Sequence, residues 1–208
     1  MGSAAVTKRR KVERRIVEPF ASERISVHPV GALMVALPRT LTDATINAPA
    51  GWTLIRSDAN GSTMRLSTFR RYVTAAEPAS HVFTFTKSST ATAAGIVVYR
   101  GVHLTNPIDV HGGQVTTKAA TRATAPSITV TVQGDMLMTV FGSANDAAAT
   151  PPTGMTERYD RLSAGSSKVA TTADDQKLTA TGATGVRTAT LDKSTTGIGQ
   201  AIAVRPAP

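Results

Sequence analysis

The chain has 208 residues, 41% of them hydrophobic, and carries a formal charge of +9 with no cysteine. That length and apolar share suit one large domain or two small ones, and the missing cysteines exclude disulfides, thiolate chemistry and Cys-ligated zinc. Threonine, alanine, valine, serine and glycine dominate, which favours short strands and turns over helices.

The charge is concentrated at the start. Residues 1–24 hold Lys8, Arg9, Arg10, Lys11, Arg14, Arg15 and Arg24 against Glu13, Glu18 and Glu23, a local +4, and the other 184 residues share +5. Residues 1–22 lack apolar periodicity, and Pro19 stops any helix begun at Lys8, so they read as a basic arm that orders on a partner. Its docking residues are expected to be Lys8, Arg9, Arg10, Lys11, Arg14 and Arg15 for charge, with Val12, Ile16, Val17 and Phe20 for apolar contact. The run Lys8–Val12 also looks like a nuclear import signal, a pattern that interaction arms commonly share. Charges interrupt the segment that would have to be a signal-peptide core, and the best apolar run, 32–37, is too short to span a bilayer. No membrane insertion is expected.

Residues 23–208 read as one all-β domain. Arg24–Val27 alternates, 33–37 is a buried strand ended by Pro38, and 48–51 is the turn before Trp52, the only tryptophan. Strand 52–57 meets strand 63–73 through Asn60-Gly61, a strong hairpin signal because both residue types accept positive φ. In the return strand Met64, Leu66 and Thr68 share one face and Arg65, Ser67 and Phe69 the other. Residues 81–86 alternate with His81, Phe83 and Phe85 on one side, and 95–102 is a continuous core strand. Residues 103–125 show no sustained period and read as a long loop. Further strands are expected at 127–132, 135–141, 155–160, 167–172, 186–191 and 200–204.

The chain also echoes itself. At an offset of 103, residues 31–53 align with 134–156 without gaps, pairing Gly31 with Gly134, Pro49 with Pro152 and Gly51 with Gly154. At an offset of 104, 82–86 falls on 186–190 and Gly95 on Gly199. Two such halves would interlock as a jelly-roll-like antiparallel β-sandwich carrying an extended basic N-terminal arm.

The succession of 32–37, 48–56, 76–80 before an alternating aromatic strand, 95–102, 151–158 and 202–206 resembles a β-sandwich module of bacteriophage tail and virion structural proteins that also occurs in bacterial surface proteins. It covers about 24–206. The resemblance implies a non-enzymatic minor tail protein without cofactor or metal, assembled in the host cytoplasm into the virion. It would contact other virion proteins and its own copies. A capsid decoration or head-fibre protein and a carbohydrate-binding adhesin for a host glycan are the alternatives.

Chemistry-bearing residues are sparse. His103, Asp109 and His111 cluster in the expected loop without a recognisable ligand spacing, and Asp174-Asp175 reads as a charged turn. A sugar platform would need exposed aromatics, for which Trp52, Tyr72, Tyr99 and Tyr159 are the candidates, each with strand context that favours packing. Arg70, Arg71, Tyr72 and Tyr159 form the candidate ligand surface. Nucleic acid could meet the basic arm and Arg70-Arg71, but basic residues interleave with aromatics only at Phe69-Arg70-Arg71-Tyr72, which makes it the weaker partner.

Overall fold

Continuous apolar runs such as Leu33-Met34-Val35-Ala36 and Ile96-Val97-Val98-Tyr99 send alternate side chains to opposite faces of a sheet, so both faces need cover. A computed structural model, which describes residues 14–17 (backbone), 30–78, 81–89, 91–163 and 167–208, shows how that cover is built. The described chain is all-β. It runs β1 (Arg14–Val17), β2 (Leu33–Ala36), β3 (Arg39–Thr40), β4 (Ile46–Asn47), β5 (Thr53–Asn60), β6 (Met64–Tyr72), β7 (Thr84–Phe85), β8 (Thr92–Ala93) and β9 (Ile96–Tyr99). It continues through β10 (Ile108–Ala125), β11 (Thr129–Val130), β12 (Met136–Ser143), β13 (Ala149–Thr150), β14 (Thr156–Leu162), β15 (Ala170–Lys177), β16 (Gly182–Ala183) and β17 (Arg187–Val204).

One sheet has the order β1-β9-β2-β6-β3-β8, with β5 also paired to β6; the other has β10-β17-β12-β15-β14, with β13 also on β17. Among the described ladders only β1–β9 is parallel. The inward faces meet in a shared core that includes Leu33, Val35, Leu66 and Tyr99 from one sheet and Met138, Val140, Tyr159 and Ile202 from the other. Each sheet then has a second apolar layer outside. Met34, Phe69, Phe83 and Val98 form it on the first, where β4 pairs with β7. Leu137, Phe141, Ile128 and Val130 form it on the second, where β11 pairs with β16. Fully burying each such side chain contributes about 1.5–3 kcal/mol.

The two sheets repeat one pattern. The order β9-β2-β6-β5 in the first is matched by β17-β12-β15-β14 in the second. Ile46 of β4 opposes Phe85, and Ala149 of β13, 103 positions later, opposes Leu191. Trp52 N–H donates to Pro49 O at 3.3 Å and Met155 N–H to Pro152 O at 3.0 Å. The glycine inside each turn has positive φ, 85° at Gly51 and 79° at Gly154, a conformation that a side chain rarely adopts. The ladder of β5 on β6 shifts register between Leu54 and Arg56, and that of β14 on β15 shifts between Glu157 and Tyr159, the same two positions 103 residues on.

Several sequence expectations need correction. Most of the expected loop 103–125 is the 18-residue strand β10, paired along its length to β17. Its period is lost because much of it is half-exposed on both faces and its register shifts three times. Asp174 and Asp175 are no turn but lie within β15, at 1% and 2% exposure. The expected strands 186–191 and 200–204 are one strand, β17, continuous through Gly197 and Gly199. Of 127–132 only Thr129–Val130 is strand. The hairpin at Asn60-Gly61 forms, but only Gly61 takes positive φ, and Asn60 closes β5 opposite Met64. The offset of 103 is matched over β2, β4 and β5, whereas the offset of 104 is not. Leu33 opposes Tyr99 and Met136 opposes Val204, which spaces the closing strands by 105; Phe85 and Leu191 are spaced by 106. Arg24–Val27 lies outside the described residues.

Candidate functional site

Polar side chains buried between two sheets must find partners, and one such group joins β5 and β6 to β17. The register shift before Arg56 sets it opposite Thr68, and Asp58 follows opposite Leu66, so both charged side chains point toward the second sheet. Arg56 Nε and Nη2 donate to Asp58 Oδ2 and Oδ1 at 2.6 and 2.7 Å, a two-pronged pair. Gln200, fully buried on β17, donates from Nε2 to Asp58 Oδ2 at 2.7 Å and to Leu66 O at 3.2 Å, and its Oε1 accepts from Thr68 Oγ1. Asn60 Nδ2 adds a bond to Thr116 O of β10 at 3.1 Å.

The partner of Gln200 in the β10–β17 ladder is Gly113. A Cβ there would overlap the Arg56 guanidinium and the Asp58 carboxylate, so only glycine lets the pair lie against β10. His111, two residues earlier, sits near the same pair; burial first, then the Arg56 charge, lower its pKa below the ordinary histidine value. Both Asp58 oxygens already accept from donors of this chain. The group therefore ties the two sheets together.

The cluster expected at His103, Asp109 and His111 is dispersed. Asp109 accepts from Thr131 N–H and Oγ1 and from Arg205 Nη2, the last at 2.6 Å. Burial alone would raise its pKa, but these bonds outweigh it and hold the carboxyl down at about 2. Asp135, fully buried beside it, is pushed up to about 7 by burial and by the Asp109 charge. His103 Nδ1 accepts the amide of Asn106 at 3.2 Å, a turn contact. Among the described residues no group of three or more His, Asp or Glu is placed to hold a metal ion. No helix of the described residues is long and apolar enough to cross a membrane.

Of the candidate ligand surface, Arg70, Arg71 and Tyr72 stand half-buried together on β6, and Tyr159 lies apart from them. Tyr159 is 3% exposed in the shared core, packed where a Cβ on Gly95 would meet its ring, so it is removed from that surface. Tyr72 donates its hydroxyl to His103 O at 2.6 Å. Arg71 bonds Glu77 Oε1 at 3.0 Å and Ala50 O at 2.9 Å, bracing the turn before Trp52, while Arg70 stands half-buried on β6. Trp52 is half-buried too. Its indole N–H donates to His81 Nδ1 at 3.2 Å and its ring meets Phe83 edge-on at 5.5 Å; the other ring nitrogen of His81 lies 3.2 Å from Glu77 Oε2. Tyr99 is core, as its strand context suggests, and its hydroxyl donates to Asp175 Oδ2 at 3.1 Å.

In the expected docking arm, Arg14, Arg15, Ile16 and Val17 form β1, parallel to β9 with Arg14 opposite Ile96 and Val17 opposite Tyr99. Lys8, Arg9, Arg10, Lys11, Val12 and Phe20 lie outside the described residues. Sequence reasoning missed Arg56, Asp58 and Gln200. The usable signal is Gly112-Gly113, a close-approach pair inside a stretch whose missing period suggests a loop.

Comparison with known protein families, curated proteins and solved structures finds no match for this chain.

Proposed function

We propose that the protein is a non-enzymatic structural component of a bacteriophage particle, a minor tail protein. Its body is a jelly-roll-like sandwich of two halves descended from one duplicated unit, and its N-terminal segment attaches it to its neighbours. The duplication is supported by the shared strand order, the paired turns at Gly51 and Gly154 and the register shift repeated 103 residues apart. The structural role is supported by how the polar groups are spent. Asp58, Gln200, Asp109 and Asp175 all bind other segments of the same chain.

The observation that carries the attachment reading is the place of Arg14–Val17. It adds a strand to the β9 edge of the first sheet by backbone pairing, a mode that needs few particular side chains and can be made with a neighbouring chain equally well. The basic run before it supplies charge for the approach. The adhesin alternative loses support, because Tyr159 is core and Trp52 and Tyr72 are tied by hydrogen bonds.

The test compares incorporation into particles of the full chain, a form lacking residues 1–13 and a form lacking residues 1–22, with thermal unfolding of each. Loss of incorporation in the 1–22 deletion, with a cooperative unfolding transition retained, is the expected result. Normal incorporation of that deletion overturns the attachment role. Cross-linking of the incorporated protein to tail rather than head components separates a minor tail protein from a capsid decoration or head-fibre protein.

A further inference from the structure

On the outer face of the second half, carboxyls gather around β14. Glu157 opposes Asp174 of β15 in the ladder, and Asp160 follows on the same strand as Glu157. Asp192 of β17 closes the group. Its Oδ1 accepts the Ala148 amide at 2.8 Å, and its charge reaches Asp160, which accepts the next amide, that of Ala149. Asp174 is 1% exposed and its Oδ2 has no hydrogen-bond partner; Asp160 Oδ1 has none either. After burial, every influence on the Asp174 carboxyl is a negative charge, from Glu157, Asp175 and Asp160, and together they raise its pKa. Asp160 is raised too, by burial first and by Glu157 and Asp192, against the Ala149 amide and the Arg161 charge. Carboxyls crowded in this way favour a cation brought to their rim.

A source of cations is tethered beside this face. β1 lies alongside β14, with Cα atoms of the two strands within 8 Å. Arg14, its first residue, is opposite Ile96, and the Tyr159 ring packs over the adjoining Gly95. The chain that leads into β1 therefore enters at the middle of β14, where Asp160 follows Tyr159. Lys8, Arg9, Arg10 and Lys11 precede Arg14 by three to six residues. An extended chain of that length spans about 10–20 Å. The basic run is thus within one short tether's reach of Glu157, Asp160 and Asp192. At the matching place of the first half Leu54 opposes Phe69, so charge complementarity singles out the second half.

We infer that the face formed by Glu157, Asp160 and Asp192 over the buried Asp174 is the docking surface for the basic run Lys8–Lys11 of the same chain. The occupant is intramolecular because the tether holds the run beside its own face at an effective concentration of millimolar order, which a second copy in dilute solution does not match. Glu157 and Asp192 are exposed at the rim, where the long lysine and arginine stems reach them without entering the core. Held there, the run is closed to an outside anion or a neighbouring protein until one competes for it. The contact belongs to the free chain and stands or falls independently of any role in a particle.

Carbodiimide coupling of the full chain at low ionic strength tests it, because that reagent joins an ammonium to a carboxylate only where the two already touch. Peptide mapping should find Lys8 or Lys11 joined to Glu157, Asp160 or Asp192. In about 1 M sodium chloride, where the Debye length is about 3 Å, the yield should drop on the order of tenfold. It should drop likewise in a variant carrying Glu157→Gln, Asp160→Asn and Asp192→Asn. If that variant fails to unfold cooperatively, Glu157→Gln alone, at an exposed position, should lower the yield in its place. Coupling an equal mixture of ordinary and isotopically heavy chains separates the two arrangements. Products of one isotope only are expected; mixed products would make a second copy the occupant and overturn the inference. It is also overturned if no product links the run to this face, or if the yield is indifferent to salt and to the substitutions.

Discussion

The outer faces of the two halves sit on the same scaffold and both carry an apolar layer, but at one matched place they are filled by opposite chemistry. Leu54 opposes Phe69 in the β5–β6 ladder, and at the matching place in β14–β15 Glu157 opposes Asp174. An apolar pair on one side is an acidic pair on the other. Phe69 is packed by Phe83, with ring centroids 5.5 Å apart, under the cover that Trp52 completes. Asp174 is 1% exposed, and one of its oxygens has no partner. Burial first, then the charges of Glu157, Asp175 and Asp160, push its carboxyl up to about 7. The shared backbone pairing thus survives a change of side-chain chemistry that alters what each half contributes to stability. At this place the first half supplies apolar packing, and the second holds a carboxyl that resists ionisation.

The largest expected effect comes where backbone meets backbone. Gly199 of β17 lies so close to Thr124 of β10 that a Cβ would collide with its carbonyl oxygen, and no side chain can swing away to relieve it. Gly199→Ala should lose about 3 kcal/mol or more, or fail to fold. Gly95→Ala, near the corresponding place in the first half, meets the ring of Tyr159 instead of backbone and should cost less. Urea midpoints of the two variants measure the difference, and equal losses would show that the β10–β17 contact is looser than it looks.

Phe69→Ala comes next. Removing a phenyl ring that is 4% exposed beneath Phe83 and Trp52 should cost about 3–5 kcal/mol. Asp174→Asn, at the matching position of the second half, should instead be neutral or stabilising at pH 8, because it removes a buried carboxylate and keeps the shape. If both variants lose comparable stability, Asp174 has a compensating partner and the contrast between the halves fails.

How much of this was legible in the sequence differs between the same two halves. The first half announced itself: Leu33–Ala36, the turn at Pro49–Gly51, the hairpin at Asn60-Gly61 and the aromatic alternation at 81–86 all have local causes that a reader of residues can name. The second half hid more, because its strands are built from threonine, alanine and aspartate, whose placement is decided by what lies across the sheet. Asp174-Asp175 looked like a turn because two adjacent carboxyls inside a strand are costly, and only the contacts of Asp175 with Tyr99 and, at 2.7 Å, with Arg158 show how one of them is accommodated. The β10 strand has no period of its own and owes its form to β17. For the candidate site, Arg56 and Asp58 were visible as residues, but their union with Gln200, 142 positions beyond Asp58, is a property of topology.

The acidic character of the second half also sets the pH profile. Asp135 and Asp174 both have folded-state pKa values of about 7 against an ordinary 3.8, so between pH 4 and pH 7 the folded chain binds more protons than the unfolded one. Stability should therefore fall as pH rises through that window. Asp109 acts in the opposite sense at lower pH: its pKa of about 2 means that its contribution is lost as pH falls below 4. Unfolding midpoints should peak near pH 4 to 5. Asp174→Asn should flatten the upper slope and leave the lower one in place, and an unaltered upper slope in that variant would assign the effect elsewhere.

The smallest effect tests the pair of residues that follow the two turns. Trp52 and Met155 occupy matching positions, yet Trp52 spends its N–H on His81 and packs its ring on Phe83, while Met155 accepts from Thr139 Oγ1 at 3.6 Å. Trp52→Phe keeps an aromatic ring and deletes the donor, leaving His81 Nδ1 without its hydrogen bond, and should cost about 1 kcal/mol. Trp52→Met should cost more, since the first half lacks the threonine that serves Met155; the position matching Thr139 is Ala36. Met155→Leu should cost less than either, because it keeps the apolar volume and loses only a bond to a weak thioether acceptor. The order Trp52→Met, Trp52→Phe, Met155→Leu, measured as falling shifts in urea midpoint, is what a packing role after each turn requires. A large loss at Met155 would mean instead that the cover over the second outer face depends on that one side chain as heavily as the first depends on its tryptophan.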